Sequence, residues 1–139
     1  MNNMDTKKLT LQELKKAKDK TNAPVYAILQ IKKGNEYHNK RFENYKHTIR
    51  EYNKIDLNDY DIKGIFSTKN FYKGNEETNR LLETVYEIWN TSEHPIGFTG
   101  HSLSISDIIA ICKGNIVKFH FCDSIGFREL ENETTLVLN

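Results

Sequence analysis

Residues 100–127 read GHSLSISDIIAICKGNIVKFHFCDSIGF. Two apolar, β-branched runs, residues 105–112 and 116–122, flank Lys113-Gly114-Asn115, a tight connection of the kind that closes a β-hairpin. Residues 123–126 read as a second turn, in which Asp123 can accept backbone N–H bonds and Gly126 can take positive φ. A short strand is expected after it at 127–130. Register decides which side chains meet the core, because a slip of one residue exchanges the two faces. A two-residue turn at Gly114-Asn115 groups Phe119 and Phe121 with Ile108 and Ala110, sets His120 beside Ile109, and sets Asp107 beside Cys122. A three-residue loop that includes Lys113 groups the phenylalanines with Ile109 and Ile111 instead. Both registers are open at this point.

Outward from the hairpin, VYAILQIK (25–32) is β-branched and aromatic, with both faces largely apolar, and predicts a central strand. A polar loop with a Gly34-Asn35 turn signal follows. Phe42, Tyr45, Ile49 and Tyr52 then repeat at helical spacing and predict a helix over about 43–53. YDIKGIFST (60–68) predicts a second strand. Asn75 is expected to cap a further helix carrying Glu76 and Glu77 in its first turn, with Leu81, Leu82, Val85, Ile88 and Trp89 as its buried stripe. At the N-terminus, Thr10 as cap with Glu13 forms a capping-box pattern, and Leu9 can staple onto Leu14. Residues 1–23 are therefore expected to be a helical appendage, its apolar stripe Leu11, Leu14 and Ala17, and residues 24–139 one domain. Pro95, Gly97 and Gly100 punctuate the loop into the hairpin, and the tail ENETTLVLN reads as either frayed or a further edge strand. The expected fold is α+β: a small, mostly antiparallel sheet with two or three helices packed on one face.

With 139 residues the chain can bury a core without metals or disulfides. Twenty lysines and arginines nearly cancel 19 aspartates and glutamates, so there is no summed field to attract nucleic-acid phosphates and no acidic surface to imitate them. No apolar run follows the N-terminal charges, and none is long enough to span a bilayer. Two cysteines make no disulfide framework and point to a reducing cytoplasm. Across the hairpin, Cys112 and Cys122 are expected ~17 Å apart, beyond disulfide or shared-metal reach.

The polar residues of the quoted stretch admit several chemistries. His94, His101, His120 and the cysteines show no paired metal-ligand spacing, so neither metal nor cofactor is expected. A Cys–His nucleophile is disfavoured, because Asp123 beside Cys122 raises the thiol pKa, although His120 and Cys122 share a face. Ser102, Ser104 and Ser106 alternate without a nucleophile-elbow or SxxK pattern. The favoured reading is a structural or binding corner in which these hydroxyls hold local backbone, Asp107 or Asp123 anchors it, and His101 bridges a loop carbonyl and a carboxylate. Ser124 and Phe127 complete that corner. The competing reading sets His101, Ser104 and Asp123 around a pocket for a nucleotide signal, bound or hydrolysed.

The pair GHSLSISD (100–107) and FCDSIGF (121–127) resembles the signature of the YodL-like domain, found in small Gram-positive proteins and in large polyvalent proteins of phages and conjugative elements. The resemblance extends more loosely through VYAILQIK, FENYKHTIREY and YDIKGIF, over about 24–130. It departs at the N-terminal helix and at Ile125, where the family more often has an aromatic residue. The resemblance supplies no catalytic residues. It implies a non-enzymatic accessory protein of a mobile element that binds a bacterial host protein, either a defence component (an anti-CRISPR-type inhibitor) or an actin-like cytoskeletal protein.

Overall fold

The computed structural model describes residues 5–91, 100–130 and 134–135. Three helices, α1 (Thr6–Lys18), α2 (Tyr45–Tyr52) and α3 (Thr78–Trp89), accompany six strands: β1 (Val25–Ile31), β2 (Tyr60–Ser67), β3 (Ile108–Lys113), β4 (Ile116–Cys122), β5 (Phe127–Glu129) and β6 (Thr134–Thr135). All pairings are antiparallel, in the order β2-β1-β3-β4-β5, with β6 also on β4. The class is α+β.

Every residue of β1 is buried, as a central strand with two apolar faces requires. The β3–β4 hairpin takes the two-residue turn: Lys113 pairs with Ile116, Ala110 with Phe119 and Ile108 with Phe121. Gly114 sits at φ +66°, the backbone region such a turn needs. One face then carries Ala27, Leu29, Ile108, Ala110, Phe119 and Phe121 and is covered by α1, through Leu14, and by α2, through Tyr45. The other carries Tyr26, Ile28, Ile109, Ile111 and Cys122 and is covered by α3, through Leu81, Leu82, Val85 and Trp89. Two helices thus share one face as expected. The third lies on the opposite face, making three layers, because the chain must cross β1 to pass from β2 to β3 and α3 makes that crossing.

Two helix starts differ from expectation. The cap of α1 is Asp5, whose carboxylate accepts from Lys8 N–H. Thr10 lies inside the helix, its hydroxyl bonded to the Thr6 carbonyl at 2.7 Å. The cap of α3 is Glu77, without a side-chain cap bond. Asn75 does not cap it; Glu76 instead turns back to accept from Lys73 and Asn75 N–H. Helix α1 thus starts more than a turn ahead of its expected cap and α3 just after its own. His94, Pro95 and Gly97 lie outside the described residues, as does the tail apart from β6.

Candidate functional site: the corner at the open end of the hairpin

Extending the β1–β3 register by one step beyond Leu29–Ile108 sets Gln30 opposite Asp107, and extending β3–β4 sets Asp107 opposite Cys122. A central strand therefore delivers one buried amide to the place where the 100–107 loop joins β3. Gln30 Oε1 accepts the His101 N–H at 3.1 Å, while Nε2 donates to the His101 carbonyl at 2.8 Å and to Asp107 Oδ2 at 3.1 Å. The side chain pairs with His101 as a neighbouring strand would. With both amide hydrogens so used, His101 Nδ1 is left to donate to the Ser102 carbonyl, 2.7 Å away. That bond holds the ring against the loop backbone.

Gly100 is what permits this approach, since a Cβ there would collide with Gln30 Oε1. Asp107 Oδ2 also accepts from Ser104 N–H at 2.9 Å, and Asp107 N–H returns a bond to the Ser104 carbonyl. The Ser104 hydroxyl donates to the Ser102 carbonyl at 3.3 Å. Ser106 stands at φ +85° and Phe42 at φ +66°, strained conformations for residues with side chains. They are tied together: Phe42 N–H donates to Ser106 Oγ at 3.0 Å, and the Tyr60 hydroxyl donates to the Ser106 carbonyl at 2.6 Å. Burial, then the charges of Asp107 and Asp59, push the Tyr60 pKa well up and keep it a donor.

Asp123 joins the corner to α2, accepting from Tyr45 N–H at 3.1 Å and from Ser124 N–H at 2.9 Å. The structure therefore gathers His101, Ser102, Ser104, Ser106 and Asp107 around Gln30, with Asp123 and Ser124 attached through α2. Phe127 is elsewhere, its ring 6.0 Å from Tyr86 of α3. Sequence reasoning missed Gln30, Tyr60 and Phe42. Gln30 had a signal, as the one amide in VYAILQI; the φ of Phe42 had none.

Cys112 and Cys122 are both free and buried, on opposite faces of the sheet. Burial, then the Asp107 carboxylate, hold the Cys122 thiol far above its ordinary range, and burial lowers His120 to about 4. A neutral thiol beside a neutral imidazole is the reverse of an activated nucleophile.

Burial pushes Asp107 up to about 7, against the pull of its bonds from Ser104 and Gln30. A carboxyl whose folded pKa is raised adds stability that is complete at acid pH and lost as pH rises through about 7. His120, whose folded pKa is lowered, has the opposite slope, with stability lost as pH falls through about 4. The wild type is expected to vary little between these limits. Asp107→Asn, which keeps an acceptor oxygen, is expected to grow steadily more stable as pH rises from about 4 towards 6.5, the His120 slope alone. Urea midpoints of both proteins across that range check this; parallel profiles would remove Asp107 as the source.

Beside the corner lies a cavity of about 280 Å³ lined by Gln30, Lys33, Arg41, Phe42, Lys63 and His101, among others. Its charged lining is basic. Arg41 is held by the Lys32 and Gly34 carbonyls, at 3.1 Å each. Ser104 and Asp123 do not line it. Phe42 is 59% exposed, with its ring 5.8 Å from that of His101, and Ile125, at the tip of the β4–β5 turn, is 92% exposed. Among the described residues, no helix is long and apolar enough to cross a membrane.

The family model for the YodL-like domain matches residues 25–132, from the first residue of β1 to just beyond β5, leaving α1 outside. No curated protein and no solved structure matches the chain. The match spans most of the sequence and holds the whole corner, from Gln30 to Asp123, so the chain belongs to the YodL-like domain family.

Proposed function

We propose that this domain is a non-enzymatic inhibitor encoded by a mobile element, which docks the outer side of the corner onto an acidic surface of a bacterial host protein. A defence component or an actin-like cytoskeletal protein is the expected target. One observation carries the reading: the Gln30 amide, the Ser104, Ser106 and Tyr60 hydroxyls and the Asp107 and Asp123 carboxylates bond to backbone, while what the corner presents outward is Phe42, Ile125 and a basic cavity. An exposed aromatic whose backbone is already fixed suits an interface anchor, because no backbone freedom is lost there on binding. The basic lining of the neighbouring cavity adds charge complementarity and speeds encounter. A nucleotide-signal pocket using Ser104 and Asp123 is disfavoured, because neither lines the cavity.

Phe42→Ala and Ile125→Ser change exposed side chains and are expected to leave folding intact. Each is expected to weaken host-protein capture by about tenfold or more, as loss of an interface anchor does. Quantitative pull-down from a bacterial lysate, with inhibition measured alongside, checks this. Folded variants that capture and inhibit like the wild type would move the contact surface away from the corner.

A further inference from the structure

On the α3 face, at the turn end of the hairpin, a second cavity of about 160 Å³ is lined by Thr78, Ile111, Lys113, Ile116, Lys118 and His120. We propose that it binds a small organic anion, an oxyanion headgroup on an apolar body about the size of a benzene ring. The site shares no lining residue with the corner cavity and does not depend on the function proposed above.

Three independent observations meet there. First, His120 is 3% exposed, and its Nε2 is a buried side-chain polar atom with no hydrogen-bond partner, the one such atom among the described residues. Buried polar groups are nearly always satisfied, and an unmet one commonly marks a partner still to come. Second, α3 begins at this cavity with Thr78, and its cap residue Glu77 makes no side-chain bond to the first turn. The start of the helix therefore brings the positive end of its dipole, and first-turn N–H groups that no cap side chain meets, to the edge of the cavity. Third, two lysines reach the same space. Lys113 Nζ donates to the Glu76 carbonyl at 3.0 Å, and Lys118 Nζ lies 3.9 Å from Glu129.

Glu129 is the acid that meets a lining lysine. The Glu76 carboxylate accepts from Lys73 and Asn75 N–H, and Glu77, at the helix start, is exposed, where water and salt screen its charge. Ile111 and Ile116 supply the apolar walls. Bare phosphate would leave those walls wetted, and a plain hydrocarbon would leave the lysines and the imidazole unmet. A cavity of roughly 150 Å³ suffices for benzene, so a ring or branched chain carrying one carboxylate fits the volume.

Benzoate is the probe, with benzamide as its neutral counterpart and inorganic phosphate as an anion without an apolar body. The intact protein is titrated with each, following Thr78 N–H and His120 ring signals by NMR and the melting temperature in parallel. Benzoate is expected to shift both sets of signals and raise the melting temperature through linkage, with benzamide and phosphate each at least about tenfold weaker. Lys118→Gln, a surface change, is expected to weaken benzoate by about tenfold. His120→Phe, which keeps a ring without the unmet nitrogen, is expected to fold and to lose the benzoate response; should it fail to fold, Lys118→Gln carries the test. Phe42→Ala is expected to bind benzoate normally, which separates this site from the corner. Silence towards benzoate, equal binding of benzamide or phosphate, or undiminished affinity in Lys118→Gln would each overturn the proposal.

Discussion

Leucine in place of Gln30 is expected to destabilise the fold by about 3 kcal/mol and lower the melting temperature by roughly 10 °C. The side chains are close in volume, so the loss is one of hydrogen bonding and not of packing. Leucine strips the His101 N–H and carbonyl of their Gln30 bonds and leaves the Asp107 carboxyl with the Ser104 N–H alone. Little water can make good the loss at Asp107, which is 2% exposed. The same leucine on an open surface would cost a few tenths of a kcal/mol, and so should Ser124→Ala, whose hydroxyl makes no bond in the corner. Urea denaturation of the three proteins settles the ranking. A Gln30→Leu midpoint within about 0.5 kcal/mol of the wild type would mean that the amide does not organise the corner.

Leu14→Asp should be more damaging still, at about 5 kcal/mol, enough to unfold a domain near the lower end of ordinary stability. Leu14 is fully buried in the core formed by β1, β3 and β4, with Leu11 and Ala17 packed beside it. An aspartate there places a carboxyl in an apolar core and removes the apolar contacts as well. Leu14→Ala, which only opens a cavity, is expected to cost 2–5 kcal/mol by the usual range for such changes. A helix merely laid on the surface would show less than about 1 kcal/mol for the alanine. Circular dichroism with urea titration distinguishes the two, and the result bears on how far the residues before the family match belong to the same folding unit.

The strands were legible because their signals are local and redundant. VYAILQI, YDIKGIFS and the two arms around Gly114-Asn115 each combine β-branched residues with a boundary, and the strands end close to those boundaries, except that the first arm begins at Ile108 and not at Ile105, residues 105–107 being drawn into the corner's turn. The stripe Leu81, Leu82, Val85, Trp89 placed α3 for the same reason. What the pattern did not carry was which face that helix would cover, since a stripe specifies burial and not direction; the crossing over β1 decides it. Helix caps failed for a related reason, because several polar residues near each start could serve. In the corner, the serines and aspartates stood out by type and spacing. Gln30, their shared partner, comes from a strand 71 residues away from His101, a distance over which sequence periodicity says nothing. The positive φ of Phe42 and Ser106 had no sequence mark, since neither residue is a glycine, and only the finished arrangement makes those angles tolerable.

Two backbone kinks that cost energy alone and are tolerable only once Tyr60, Ser106 and Phe42 have met cannot form early, whereas the hairpin needs only its two-residue turn. The corner should therefore be absent from the folding transition state: Tyr60→Phe should speed unfolding while leaving the refolding arm of the chevron almost unchanged. In native-state hydrogen exchange, the Phe42 and Ser104 amides should open at a lower free energy than those of β1, so that the end of the molecule proposed to meet a partner is also the first to loosen.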